Sequence, residues 1–312
     1  MKHFMIFFLC FLFYSNINYS QDNECIYSNP IQKVINLYKE KQIVAIGENH
    51  GRFKESEFRL QLIKHPEFSK IVDVVVVEFA NPLYQNIIND YINCKDVEFN
   101  TLKKVWQNTT QVSGVWDSPV YEEFFTTIRE VNSKLNIENR IKVIAADPPI
   151  DWDKVNSYDD FEPFSNRGRF PISIIEKEIY NKNLKALLVF GTIHTELWGI
   201  GFTAQLEKNH PNSIAIIMPP AFNEKGMRFL ENYIPKESSP QLINLEKDEI
   251  GNVKYNDLHY YARFNGKLRK AGHFLLFLGF EKDSTVHIPE SIKTDKIYQI
   301  ERKRRLNILS RN

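Results

Sequence analysis

Five residues in four separated stretches have the types and placing for acid–base or ligand chemistry. Glu48 and His50 stand together in QIVAIGENHG (42–51), Glu78 follows VVVV (74–77), Asp147 lies within AADPP, and His194 closes FGTIH. A carboxylate next to an imidazole orients the ring and raises its basicity, so that it can take a proton from water, and a second imidazole can return one to a leaving group. The same Glu48, His50, Glu78 and His194 can instead bind one divalent metal, zinc, manganese or cobalt equally well by donor type, which lowers the pKa of its water. Each residue also has a purely structural use. Glu48 or Asn49 can cap the helix that follows, Glu78 can form an ion pair with Arg59, Asp147 can open a turn before its two prolines, and His194 taken alone can be a surface or capping histidine. The chemical reading gains from a recurrence: the turns Gly47 to His50 and Gly191 to His194 each follow an apolar run. Arg59, nine positions after His50, is placed to bind an anionic group or to orient Glu78, and Asp147 is a second candidate for substrate contact. Glu55 and Glu57 read as first-turn helix charges. Trp116, Asp117, Arg167 and Arg169 fall in loops that can line a cleft.

The elements that must position these residues follow from patterning. Short apolar runs at 43–46, 72–79, 142–146, 186–190, 213–218, 241–245 and 274–278 alternate with longer amphipathic stretches. That alternation predicts an α/β fold, a largely parallel β-sheet flanked by helices. Runs that are apolar throughout suit strands covered on both faces. Parallel strands bring their carboxyl ends to one edge, the usual place for ligand sites in such sheets, and all five residues stand at such ends. Helices are expected at 54–64, 82–92, 101–107, 119–135, 171–183, 201–209, 224–233 and 289–309. The stretch from about 82 to 139 is longer than an ordinary crossover and predicts a helical insertion after the second strand. Asp147 to Arg169, rich in Asp, Pro and aromatic residues, reads as a long surface loop of the kind that often carries function. The basic run Arg302 to Arg305 reads as a solvated tail of the last helix.

Composition sets the class. The chain has 312 residues, 43% hydrophobic and 25% charged, which suffices for one large core. Residues 1–20 combine Lys2, an apolar run from Phe4 to Tyr14 and a small residue before polar Gln21 to Glu24. This is the layout of a secretory signal peptide, and the apolar run is too short to span a bilayer. Export to a secreted or periplasmic location is therefore expected, with 21–41 as an N-terminal lead-in, 42–312 as one α/β domain, and no membrane span in the mature chain. In an oxidising compartment Cys25 and Cys94 can pair. With Lys2 removed the charges balance, so nothing points to nucleic acid as a partner. The sequence contains no Gly-x-Ser-x-Gly elbow and no P-loop or Gly-x-Gly-x-x-Gly motif, which disfavours a serine hydrolase or a nucleotide enzyme.

On IGENHG (46–51), VVVEFA (75–80), KVIAAD (142–147) and LVFGTIH (188–194), the chain resembles the superfamily that joins erythromycin esterases, ChaN-like haem-binding lipoproteins and Tiki metalloproteases. The resemblance orders most of 43–218, and the C-terminal third matches only loosely. It carries the motif glutamate and histidine onto Glu48 and His50, the arginine of the following helix onto Arg59, the second-strand glutamate onto Glu78, and the late histidine onto His194. In the esterase branch it implies that the first histidine activates water to open a lactone without a required metal. Esterases place two residues between that Glu and His. Here only Asn49 intervenes, as in the ChaN-like and Tiki spacing, which weakens macrolide specificity. Many esterases also have a further histidine soon after the late one, where this chain has Glu196. The expected function is hydrolysis of an ester or amide bond in a small-molecule or peptide substrate. The alternative is a haem- or metal-binding protein without catalysis.

Overall fold

The computed structural model describes residues 20–199, 201–220, 224–236, 240–258 and 265–310, with side chains from Tyr27 onward. Among them, seven strands form one sheet: β1 (Ile43–Glu48), β2 (Val74–Val77), β3 (Lys142–Ala145), β4 (Ala186–Gly191), β5 (Ile214–Met218), β6 (Gln241–Asn244) and β7 (Phe274–Phe277). Their order is β3-β2-β4-β1-β5-β7-β6, parallel throughout except for β6 against β7. The α/β class and the strand positions are those the patterning predicts. β1, β2, β4 and β5 are buried at every position because helices cover both faces. Odd and even residues separate cleanly. Val44, Ile46, Val75 and Val77 join one core, while Ile43, Ala45, Val74 and Val76 join the other. Each such valine or isoleucine contributes on the order of 1.5–3 kcal/mol by leaving water.

The first core is covered by α1 (Ser20–Leu37), α2 (Phe53–Lys64), α3 (Gln85–Ile92) and α4 (Pro119–Asn132). The second is covered by α5 (Arg169–Ile175), which runs into a wider helical turn over Glu176–Tyr180, and by α6 (Thr203–Asn209) and α7 (Glu224–Tyr233). The last helix, α8 (Lys296–Leu309), lies against a small third core of Val112, Ile150, Trp152, Val155 and Phe161. α3, several short helical turns and α4 fill the stretch between β2 and β3.

The lead-in is a helix, and Tyr27, Ile31, Val34 and Ile35 bury its face in the first core. Two sequence expectations need correction. The stretch after Asp147 is no simple surface loop, since Ile150, Trp152, Val155 and Phe161 are buried. Arg302–Arg305 is no solvated tail either. Arg304 donates to the carbonyls of Trp152 and Val155 at 2.8 and 2.7 Å. Arg305, 7% exposed, donates to the Gln107 carbonyl and to Asn108 Oδ1 and lies 5.0 Å over the Trp152 ring. Residues 1–19, nearly all of the stretch expected to be a signal peptide (1–20), and the Cys25 side chain lie outside the described residues, as does His259. The Cys94 thiol donates to the Arg129 carbonyl at 3.7 Å. Among the described residues no helix is long and apolar enough to cross a membrane.

Candidate functional site

Glu48 is the last residue of β1 and is paired in register with Gly191, the last residue of β4. β4 also pairs with β2, whose end delivers Glu78, and β3 beyond it delivers Asp147. Four adjacent strand ends thus bring the five residues to one edge. His50 follows in a tight turn closed by Gly51, whose φ of 70° is open to glycine at little cost. α2 begins immediately afterwards, its first amides capped from a distance by Asp283, which accepts from Lys54 N at 2.8 Å and Glu55 N at 3.3 Å.

The residues sort into two half-sites. In the first, Glu48 Oε1 lies 2.9 Å from His50 Nδ1 and accepts the Tyr121 hydroxyl at 2.9 Å, while Arg59 Nη2 stands 2.9 Å from Oε2. The Tyr121 oxygen in turn accepts the Gly51 amide at 3.2 Å. Trp116 packs edge-on against the imidazole, centroids 4.6 Å apart. Burial pushes the Glu48 carboxyl up, but Arg59 and the bond to His50 outweigh it and hold the group below the usual range. Burial alone would lower His50; its bond to Glu48 and the charge there raise it instead. With Nδ1 committed to Glu48, Nε2 is the nitrogen left to take a proton.

In the second half-site, Glu78 Oε2 accepts the Gly191 amide at 2.7 Å, and Oε1 lies 3.2 Å from His194 Nε2 and 2.6 Å from Arg167 Nη2. Arg167 Nε also stands 3.3 Å from Asp147 Oδ1. Both the amide and the hydroxyl of Thr110 donate to Asp147. Burial opposes the ionised form of Glu78, yet Arg167 and His194 hold it well below the ordinary carboxylate range. For Asp147 burial prevails, and its carboxyl is pushed up to about 6.

The two halves meet at Gly191. A Cβ there would lie 2.8 Å from His50 Cε1, 3.1 Å from Nε2 and 3.3 Å from Glu78 Oε2. Only glycine lets the two side chains approach so closely. The layering is equally definite. The side chains of Glu48, Glu78 and Asp147 are 0–4% exposed, whereas those of His50, Arg167 and His194 are 29%, 20% and 15% exposed.

Neither residue expected to touch substrate faces the solvent. Arg59 is 4% exposed and pairs with Glu48 rather than with Glu78, and Asp147 is 1% exposed beneath Arg167. Glu55 is no ordinary first-turn charge. It is buried and takes both the amide and the side-chain N–H of Asn49 at 2.7 Å, and burial pushes its carboxyl up to about 7. The donors also fail the test for a metal. Glu48 and Glu78 each face a guanidinium that repels a cation, and among the described residues no group of three or more His, Cys, Asp or Glu is arranged to hold an ion. Tyr121 and Thr110 are site residues that the sequence reading missed, and no local signal points to either.

No family model matches the chain, and no curated protein sequence matches it. Solved structures do. A succinoglycan biosynthesis protein is similar at a TM-score of 0.59 and 12% identity, over 86% of this chain and 99% of its own. A Bacillus cereus protein is similar at 0.54 and 11%, over 82% of this chain and 93% of its own. At these identities the likeness shows the α/β fold alone. ChaN of Campylobacter jejuni, solved with cofacial haem, is more distant, with a TM-score of 0.39 and 14% identity over 60% of this chain and 85% of its own.

Proposed function

We propose that the protein is a hydrolase in which His50, oriented by Glu48, activates water against an ester or amide bond. The observation that carries this reading is the 2.9 Å contact of His50 Nδ1 with a fully buried carboxylate, which leaves Nε2 of this part-exposed ring uncommitted to that carboxylate. A carboxylate held in this way fixes the tautomer and stabilises the imidazolium that forms when water is deprotonated. Glu48 in turn is held by Tyr121 and Arg59 and cannot swing away. His194, backed by Glu78, supplies a proton to the leaving group. Export is part of the same proposal and rests on the layout of residues 1–20.

The second reading is haem binding. It is favoured by the fact that each part-exposed imidazole stands against a carboxylate through one nitrogen, His50 by a hydrogen bond and His194 in ion-pair range, as an axial ligand is commonly oriented. His50 or His194 would hold the iron. One preparation tests both readings. The wild-type chain, His50→Ala and Glu78→Ala are screened for ester and peptide hydrolysis and titrated with haem for a Soret band. Turnover lost in both variants supports the hydrolase. A Soret band lost with His50 and no turnover in wild type supports haem binding, and three indistinguishable proteins would remove the site altogether.

A further inference from the structure

We propose that the ester this site cleaves is a small phosphodiester, cleaved without a metal by two imidazoles and a guanidinium. The inference rests on the hydrolase reading above and names its substrate class.

Three features carry it. The site holds two imidazole–carboxylate pairs, His50 with Glu48 and His194 with Glu78, at one edge of the sheet, and the His50 ring of the first and the Glu78 carboxylate of the second both approach Gly191. Metal-free cleavage of a phosphodiester needs that duplication, because one ring must deprotonate the nucleophile while the other protonates an alkoxide that leaves poorly. Secondly, a guanidinium sits on the second pair. Arg167 Nε and Nη2 are buried and in ion-pair range of Asp147 and Glu78, yet neither makes a hydrogen bond of proper geometry. A planar fork of N–H donors matches the non-bridging oxygens of a phosphoryl group and stabilises the added negative charge of its transition state. Thirdly, the layering selects the sign of the ligand. An entering molecule meets His50, His194 and Arg167, while the three carboxylates lie beneath them. A neutral ligand would strip water from a guanidinium without replacing its interactions, whereas an anion replaces them. The substrate is small because the chain, with 40 basic and 39 acidic residues, lacks the excess charge that holds a polyanion.

The step balances. His50 Nε2 takes a proton from water as the water oxygen bonds to phosphorus. The bond from phosphorus to the leaving oxygen breaks, and that oxygen takes a proton from the imidazolium of His194. The products are an alcohol and a phosphomonoester, and the two imidazoles return to their starting states by exchange with solvent.

The test uses the full chain, treated with EDTA, with bis(p-nitrophenyl) phosphate as the diester and p-nitrophenyl acetate as a neutral ester of the same leaving group. Wild type is expected to cleave the diester. Arg167→Met should lower kcat/KM for it by about 10²-fold or more and for the acetate by less than about 10-fold, with Arg167→Lys restoring part of the loss. Inorganic phosphate should inhibit wild type competitively and Arg167→Met much less. Acetate turnover that depends on His50, with no diester turnover, would overturn this inference and leave the hydrolase standing. Loss of diester turnover on EDTA treatment, or equal losses on both substrates in Arg167→Met, would also overturn it. Turnover of neither substrate by wild type would overturn both readings.

Discussion

The two half-sites use the same parts and are built differently. Each has an imidazole on a buried glutamate and an arginine on that glutamate. In the Glu48 half the arginine comes from α2, a few residues on, and its side chain is 5% exposed; in the Glu78 half it comes from the loop after β3, and its side chain is 20% exposed. In the first half the arginine is local and closed off from solvent. The second depends on distant chain, because the segment bearing Arg167 is pinned by α8 through Arg304 to the carbonyls of Trp152 and Val155. A base must be fixed before water arrives, so rigidity suits His50. The partner that meets the leaving group and the developing charge is better placed on a segment open to the ligand.

If the halves differ in this way, His50→Ala and His194→Ala should not be equivalent. His50→Ala is expected to lower kcat/KM by about 10²–10⁴-fold on every substrate. His194→Ala should do so only where the leaving alkoxide needs a proton, and should be nearly silent with p-nitrophenolate. Equal losses on both kinds of leaving group would break the assignment of base and acid.

The arginines differ next. Arg59→Met strands a fully buried carboxylate and is expected to cost about 3–5 kcal/mol in urea unfolding. Arg167→Met should cost roughly half that, since water can reach its place and Glu78 and Asp147 keep the Gly191 amide and the Thr110 donors.

The buried acids give a pH signature of opposite signs. Glu48 and Glu78 are held low, so the stability they contribute is present above the unfolded value near 4.5 and is lost as pH falls through their folded values. Glu55 is pushed up to about 7, so its folded form prefers the proton. The stability tied to it is present below about 4.5 and falls by on the order of 3 kcal/mol as pH rises through 7. Glu55→Gln should flatten that slope between pH 5 and 8.

Gly191→Ala probes the seam between the halves. The new methyl must displace His50 or Glu78, and activity is expected to drop about 10²-fold with little change in the far-ultraviolet circular dichroism. An active alanine variant would show that the approach of the halves has no bearing on turnover.

The fold was legible because the central strands β1, β2, β4 and β5 are short, largely apolar runs, a local signal that burial on both faces enforces. The strand-end residues were legible for the same reason: Glu48, Glu78, Asp147 and His194 interrupt such runs or stand just past them. The rest is tertiary. Tyr121 reaches Glu48 across 73 positions and Thr110 reaches Asp147 across 37, and neither stands out in its own helix or turn. Arg167 and Trp116 could be placed near the cleft as loop residues, but not assigned partners. The arginines of α8 looked solvated because a charge run gives no hint that carbonyls of a distant turn await it.

The most direct test of the central claim needs no substrate: a proton–nitrogen correlation spectrum of the wild-type chain, with the imidazoles labelled and followed through pH. His50 is predicted to carry its proton on Nδ1, to leave Nε2 bare in the neutral form, and to titrate above 6.5, the direction set by Glu48. A proton on Nε2 in the neutral form, or titration at or below 6.5, would contradict the account.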